Sequence, residues 1–168
     1  MTGTRISRSR IVEEAAEVVE YVVCSVVDMH SASLESPIEK IMLEAIVALL
    51  WSANGCLPSI NGKPGIRNQF ASEITITTQA QIGSYRVDFL VVNLTTDRKV
   101  VVECDGHEFH ERTKEQAAHD RKRDRELQAD GYLVLRYTGS EIWRDPVGCA
   151  ADIRKKIGFM VPFRENDR

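Results

Sequence analysis

The sequence predicts one α/β domain, of the mixed α+β kind, in which a mixed central β-sheet is flanked by helices. Three runs rich in β-branched residues lie close together between residues 73 and 104, and segments with helical periodicity stand on both sides of them. A chain of 168 residues, 43% of them hydrophobic, is large enough to bury one core. The predicted order of elements is α-α-β-β-β-α-β-α.

Two helices are predicted before the sheet. Between residues 11 and 29, valines and alanines recur at helical spacing with glutamates between them. Because valine also favours strands, a strand over residues 21–27 stays open as an alternative. The second helix begins at Ser36, which can cap it, and Pro37, which suits its first turn. Glu39 supplies the carboxylate of a capping box.

A loop and three strands are predicted next. Residues 55–70 contain two prolines and three glycines, which is typical of a loop. Alternation of apolar and polar residues predicts strands over residues 73–80, 85–92 and 99–104. The polar stretch over residues 93–98 predicts a hairpin connection between the last two strands.

The remaining sequence predicts a helix, a strand and a final helix. The helix is charged and covers residues 113–129, and the strand is short and buried over residues 132–137. The final helix covers residues 140–157, with Pro146 as a candidate interruption. The chain is thus divided into a tail with an extra helix, a folded domain and a C-terminal tail, over residues 1–35, 36–157 and 158–168.

The charge and the cysteine content exclude several classes of protein. The formal net charge is −3, so no overall positive field attracts nucleic acid, and a polyanion must meet a local basic patch. The four cysteines are scattered without a C-x-x-C pair, which argues against a disulfide framework and indicates a reducing cytoplasm. No apolar run approaches about 18 residues, so we expect no membrane span.

Two acids, Asp88 and Glu103, occupy the middle of neighbouring predicted strands. With the hairpin turn centred between Thr95 and Thr96, the two side chains face each other with Cβ atoms about 5 Å apart. Like charges at that distance repel unless a cation or a proton lies between them. Asp105 follows Glu103 by two residues and shares its face. The pattern predicts an Mg²⁺ site that hydrolyses a phosphodiester, and a solvated hairpin face with incidental acids is the alternative.

The charged helix over residues 113–129 is the candidate surface for binding phosphate. Its basic side chains could hold the scissile phosphate and its neighbours beside the acids. These side chains include Lys114, Arg121 and Arg123. Acidic residues such as Asp124 are interleaved with them, so an exposed helix stabilised by ion pairs four residues apart is the alternative.

His107 and His110 follow the acids closely. Together with Cys104 they form a C-x2-H-x2-H pattern that would suggest zinc. Alternation, however, directs Cys104 to the opposite face from Glu103, which argues against a zinc site. We therefore expect His110 to act in proton transfer or phosphate contact, with a polar loop histidine as the alternative. Glu39 could reach the metal as a further ligand, or serve only as a helix cap.

Several short segments together resemble a known family. They are QAQIGSYRVDF (79–89), VECDG (102–106) with His110, DRKRD (120–124), GYLVLRY (131–137) and residues 141–142, preceded by residues 36–39. In these segments the chain is similar to the PD-(D/E)XK, or restriction-endonuclease-like, nucleases. More narrowly it resembles the DUF559 group, relatives of the very-short-patch mismatch-repair endonuclease. The similarity covers about residues 36–157.

The resemblance implies a restriction-endonuclease-like core and catalysis by a divalent metal. It implies that Asp88 and Glu103 are metal ligands and that Glu39 is a third acid. It also implies three residues that support the site, namely Gln79, Arg123 and Asp124.

One departure from the wider family concerns the water-activating group. The family usually places a lysine two residues after the second acid, where this chain has Asp105. DUF559-like chains share this aspartate, so the substitution does not by itself indicate an inactive enzyme. The group that activates the attacking water stays open among His110, Lys114 and a second metal.

The sequence therefore predicts a cytoplasmic, Mg²⁺-dependent DNA endonuclease, with Mn²⁺ as a substitute cofactor. Duplex or structured DNA is the expected partner, and RNA stays open. The first alternative is a nucleic-acid-binding module that has the same fold without catalysis. The second is a protein-interaction domain, with a homodimer formed through the valine-rich first helix.

Overall fold

The described part of the chain contains five α-helices, a short 3₁₀ helix (Ser31–Ser33) and five strands. The computed structural model describes residues 8–54, 57–63, 74–106 and 114–158. The helices are α1 (Arg8–Asp28), α2 (Pro37–Asn54), α3 (Lys114–Ala129), α4 (Gly139–Arg144) and α5 (Pro146–Lys156). The strands are β1 (Ser59–Ile60), β2 (Ile74–Ile82), β3 (Tyr85–Asn93), β4 (Arg98–Asp105) and β5 (Leu133–Thr138).

The strands form one mixed sheet in the order β1-β2-β3-β4-β5. β2, β3 and β4 make an antiparallel meander, whereas β1 runs parallel to β2 and β5 runs parallel to β4. Adjacent parallel strands need a crossover connection, and α3 lies in the one that joins β4 to β5. The predicted mixed sheet flanked by helices is confirmed.

Helices cover both faces of the sheet because side chains alternate along its strands. Val100 and Val102 of β4 point into the larger apolar cluster, to which α1, α2 and α5 contribute. Val101 points to the opposite face and packs in a smaller cluster with Leu127 of α3. Residues 103 and 105 continue the alternation of Val101, so they belong to the α3 side of the sheet.

Local capping explains where α2 and α4 begin. Glu39 N donates to Ser36 Oγ at 3.4 Å, and Ser36 Oγ donates to the Glu39 carboxylate at 2.7 Å. Before α4, Thr138 and Glu141 form a reciprocal capping box. The predicted start of the second helix is therefore confirmed.

The final helix that the sequence predicts is two helices, separated at Asp145. Pro146 has no backbone N–H and cannot continue α4, so a new helix begins there. Asp145 Oδ1 accepts a hydrogen bond from Gly148 N at 2.8 Å and caps α5. The candidate interruption at Pro146 is thus confirmed, and the single helix is wrong.

α1 is helical throughout, so the alternative strand over residues 21–27 is wrong. Val23 and Val27 lie one turn apart and are buried against the core, because the helical spacing puts them on one face. Neither α1 nor any other helix in the described part of the chain combines the length and apolar character needed to cross a membrane.

Two strands differ from their predictions. The predicted loop over residues 55–70 contains β1, which pairs with β2 through only two residues. β5 is not the buried strand that its apolar sequence predicts. Leu133 is 40% exposed and the other β5 residues are half-buried. β5 is the last strand of the sheet and has a neighbour on one side only.

Phe89 should be a principal determinant of stability, because its side chain is fully buried in the larger cluster. We expect Phe89→Ala to lower the free energy of unfolding by about 3–5 kcal/mol, measured by urea denaturation. Leu94→Ala in the exposed hairpin turn is the control and should change the free energy by less than about 0.5 kcal/mol. Equal effects of the two substitutions would contradict this assignment of the core.

Candidate active site

The β3–β4 hairpin has the predicted register. Its regular pairs end, away from the turn, at Phe89 with Val102. The observed ladder contains no one-residue slip, and the same register continued by one position would bring Asp88 opposite Glu103. Arg123 relates the two acids in space, because its guanidinium contacts Glu103 and its positive charge acts on Asp88.

Asp88 is held by the backbone of the neighbouring strand. Its Oδ2 atom accepts a hydrogen bond from Cys104 N at 2.7 Å. Burial raises the pKa of Asp88, the Cys104 hydrogen bond opposes this rise, and the negative charges of Glu39 and Asp105 add to it. The Asp88 carboxylate is thus fixed in place, and its ionised form lacks sufficient compensation from the protein.

The pairing of β2 with β3 is interrupted at Gln79, which lies opposite Asp88. Gln79 has φ +48°, in the left-handed region that residues other than glycine seldom adopt. On one side of this point Phe89 packs into the cluster beneath α2. On the other side Ala80 and Val87 pack into the α3 cluster. The apolar side chains of β2 and β3 therefore change from one face of the sheet to the other at this point. Asp88 lies where they change.

Glu39 is buried beside this break and accepts several hydrogen bonds. Gln79 Nε2 donates to Glu39 Oε2 at 2.9 Å, and Glu35 N donates to the same oxygen at 3.1 Å. Ser36 Oγ occupies the other oxygen. The predicted capping role of Glu39 is confirmed, and Gln79 connects this helix start to the strand that faces Asp88.

Arg123 of α3 contacts the second acid. Its Nη2 atom donates to Glu103 Oε1, and Glu103 is only 7% exposed. Burial lowers the pKa of Arg123, and the neighbouring positive charge of Arg136 lowers it further. Within the described residues, Arg123 Nε is buried and has no hydrogen-bond partner. Arg123 therefore neutralises Glu103 through Nη2, while its buried Nε–H donor is unsatisfied.

Arg136 of β5 joins the remaining acids, a role that the sequence did not reveal. Its guanidinium binds Asp124 through two bonds of 2.9 and 3.1 Å, and its Nη1 lies 3.4 Å from Asp105 Oδ1. Burial lowers the pKa of Arg136, but the bonds and charges of Asp124 and Asp105 outweigh it and raise the pKa overall. The only available signal was alternation with Val134, which puts Arg136 on the α3 side.

Among the basic residues of α3, some face the site and others are exposed on the surface. Arg123 shares the inward face with Leu127, because four residues make about one helical turn. Arg121 is exposed and lies outside the contacts that form the site. Lys122 makes an ion pair of 3.7 Å with Glu126, four residues away, as the alternative interpretation of this helix predicts. The predicted phosphate-binding set is therefore not one cluster.

The zinc pattern is only partly within the described residues. Cys104 packs against the larger cluster, on the face opposite Glu103, as alternation predicts. His107 and His110 lie outside the described residues. Lys114 begins α3, and its side chain is also outside the described part.

The described site contains more acids than cations. The carboxylates are those of Glu39, Asp88, Glu103, Asp105 and Asp124, and the cations are those of Arg123 and Arg136. In the described ranges, no group of three or more His, Cys, Asp or Glu side chains is arranged to hold a metal ion. The oxygen donors and the excess negative charge are nevertheless of the kind that suits a hard divalent cation.

Comparison with known proteins identifies a family. The sequence model of REase_MTES_1575, a restriction-endonuclease-like family, matches residues 67–157, which is more than half of the chain. The match runs from before β2 to the end of α5 and includes both central acids, whereas Glu39 lies before it. No curated protein and no solved structure matches the chain.

The ionisation of Asp88 should cost stability. Its pKa is raised in the folded state, so the protonated group contributes stability that is complete below about pH 3.8 and is lost as the pH rises through the raised pKa. Asn at this position keeps an acceptor for Cys104 N and has no charge. The stability of Asp88→Asn relative to wild type should therefore increase with pH, by about 1.4 kcal/mol for each unit of pKa shift.

Urea denaturation between pH 3.5 and pH 8, with chelator present, measures this difference. Glu17→Gln, at an exposed position of α1, is the control and should show no such increase. A difference that is flat or that shrinks as the pH rises would show that Asp88 is not strained by its surroundings.

The shared ion pairs of Arg136 should also be measurable. Arg136→Met leaves Asp105 and Asp124 without their common partner, so the free energy of unfolding should fall by up to about 3–5 kcal/mol. Arg86→Met is the matched control, since it removes an exposed pair with Glu35 and should cost about 0–1 kcal/mol. Similar losses in urea denaturation would refute a structural role for the buried network.

Proposed function

The chain belongs to the restriction-endonuclease-like family REase_MTES_1575, and on this premise we propose that it is a divalent-cation-dependent DNA endonuclease. The observation that carries the proposal is the hairpin register, which matches the predicted one up to Phe89 and Val102 and, continued by one pair, would bring Asp88 opposite Glu103. The reaction is hydrolysis of a phosphodiester bond.

Asp88 and Glu103 would hold the cation, which is Mg²⁺ with Mn²⁺ as a substitute. Glu39 is a third acid whose negative charge acts on Asp88 from the start of α2. When bound, such a cation polarises a phosphoryl oxygen and makes a water molecule more acidic. The raised pKa of Asp88 supports this assignment, because a cation would compensate the charge that the protein leaves uncompensated.

Arg123 would stabilise the charge that develops on the phosphoryl oxygens. It is the described cation in contact with Glu103, and its guanidinium can donate to a phosphate through two nitrogen atoms. Asp105 cannot supply the positive charge of the usual family lysine, so Arg123 would supply positive charge to the site, and the group that activates the water stays open.

Three further residues would hold the catalytic residues in position, namely Asp105, Asp124 and Arg136. The two bonds from Arg136 to Asp124 fasten α3 to β5 close to Arg123, and Asp105 adjoins the same guanidinium. Gln79 would act in the same way on Glu39. His110, Lys114 and a second cation stay the candidates for activating the water.

Contact with the DNA backbone would come from the outward side of α3. The net charge is −3, so attraction to DNA must be local. Arg121 and Arg125 are exposed on this helix, close in sequence to Arg123. Binding through phosphate contacts would weaken steeply with salt.

The finer predictions remain proposals. They comprise membership of the DUF559 group, duplex or structured DNA rather than RNA, and a cytoplasmic location. The homodimer also remains a proposal. Its candidate surface is an apolar groove of about 660 Å³ between α1, α2 and the start of α5. Val18 and Tyr21 are exposed apolar side chains of α1, which favours an interaction surface there.

Cleavage of a panel of labelled nucleic acids tests the proposal. The wild type should cleave DNA with Mg²⁺ or Mn²⁺ and not with chelator. Asp88→Asn and Glu103→Gln should each reduce the rate by about 100-fold or more, because each removes a charge needed in the transition state. Glu35→Gln is the control, because Glu35 is an exposed acid near the same helix start.

Cleavage by Asp88→Asn or Glu103→Gln at the wild-type rate would refute the assignment of the site. A wild type that binds DNA without dependence on Mg²⁺ and yields no product would instead identify the binding module without catalysis. Circular dichroism of each variant checks that the fold is retained.

A further inference from the structure

Three polar side chains hold β2 at the residue that precedes the break in the sheet. Asn61 Oδ1 accepts a hydrogen bond from Thr78 N at 2.9 Å, and Asn61 Nδ2 donates to Thr78 Oγ1 at 2.9 Å. Thr78 Oγ1 donates to Ser33 Oγ at 2.7 Å. Thr78 is only 6% exposed, so these bonds are shielded from water. We call this group the Asn61–Thr78 clamp.

The clamp extends the short edge strand by means of a side chain. β1 pairs with β2 only as far as Ile60 with Ile76, and Asn61 N then donates to Ile76 O at 2.9 Å. Asn61 has φ +49°, so the backbone turns away from β2 at this residue. Its side-chain amide replaces the next peptide group, because it offers both an acceptor and a donor to Thr78.

Gln79, the residue after the clamp, has a conformation that requires support. A non-glycine residue in the left-handed region costs about 1–3 kcal/mol and persists only where its surroundings determine it. On one side Gln79 donates to Glu39 through its side chain. Its backbone lies opposite Asp88 in the register of β2 and β3. The bonds that hold Thr78 therefore also hold the backbone of Gln79, which contacts Glu39 and lies opposite Asp88.

We infer that Asn61 and Thr78 are positioning residues for the proposed hydrolysis. They hold the backbone of Gln79, which in turn places Glu39 and Asp88. This inference rests on the proposed nuclease function, although the clamp itself can be tested without it. Neither residue touches the acids directly, so neither is a catalytic residue.

The imidazole of His30 lies beside the amide of Asn61 and supports the clamp. Its Nδ1 lies 3.4 Å from Asn61 Nδ2, and the side chain is buried. Burial lowers the pKa of His30, and the positive charge of Lys63 lowers it further. The lowered pKa favours the neutral imidazole, which in the tautomer with a bare Nδ1 can accept from the Asn61 amide.

The kinetic test compares two adjacent threonines of β2. Thr78→Val removes the buried hydroxyl, whereas Thr77→Val removes an exposed one from the same strand. We expect Thr78→Val to lower kcat for DNA cleavage by at least about 10-fold with KM changed by less than about 2-fold, because a misplaced catalytic group costs rate rather than binding. Thr78→Ser should recover most of the loss, and Thr77→Val should match the wild type.

A second measurement requires no catalysis. In ¹H–¹⁵N spectra recorded with chelator and without DNA, the side-chain amide of Gln79 should shift in Thr78→Val and keep its position in Thr77→Val and Thr78→Ser. Should Thr78→Val not fold, Asn61→Gly removes both bonds between Asn61 and Thr78 and tolerates the positive φ, and it should shift the Gln79 amide in the same way.

The two measurements separate the two ideas. An unmoved Gln79 amide in the clamp variant, or an equal loss of kcat in Thr77→Val, would overturn the inference. A wild type that cleaves no nucleic acid would instead refute the proposed function, and the inference about the clamp would then be decided by the Gln79 amide alone.

Discussion

The register of the β3–β4 hairpin is the constraint on which the rest of the site depends. Side chains alternate with a period of two, so a slip of one residue would move Glu103 to the face occupied by Cys104. The observed pairs allow no slip, and Cys104 N donates a further hydrogen bond to the Asp88 carboxylate. Burial on both faces secures this register, since Val102 packs beneath α2 and Val101 beneath α3.

The electrostatics of the site cost stability, which supports the proposed binding of a cation there. Asp88 is buried enough to raise its pKa, and the other acids nearby increase the cost of its charge. Arg123 and Arg136 offset part of this charge, but the buried Nε of Arg123 has no partner in the described residues. Unsatisfied buried groups are rare in folded proteins and tend to occur where function requires them.

The residues that hold the site in position come from helices on both faces of the sheet and from the sheet itself. α2 contributes Glu39, α3 contributes Arg123 and Asp124, and β5 contributes Arg136. The left-handed residue Gln79 lies where these layers meet, at the point where β2 and β3 exchange faces. Family membership rests on residues 67–157, so it covers the central acids and α3 but not the helix start at Glu39 or the clamp at Asn61. Those two parts are therefore argued from contacts alone.

The sequence by itself determined the features that depend on neighbouring residues. The start of α2 follows from Ser36 and Glu39, and the register of the β3–β4 hairpin follows from an even-length turn between alternating strands. Only the tertiary structure decided which distant side chains complete the site. Arg136 reaches Asp124 because β5 runs parallel to β4 with a particular register, and Asn61 reaches Thr78 because β1 ends two residues into its ladder. Parallel pairings join segments far apart in the chain, and their register is set by packing of the whole core, which no local pattern encodes.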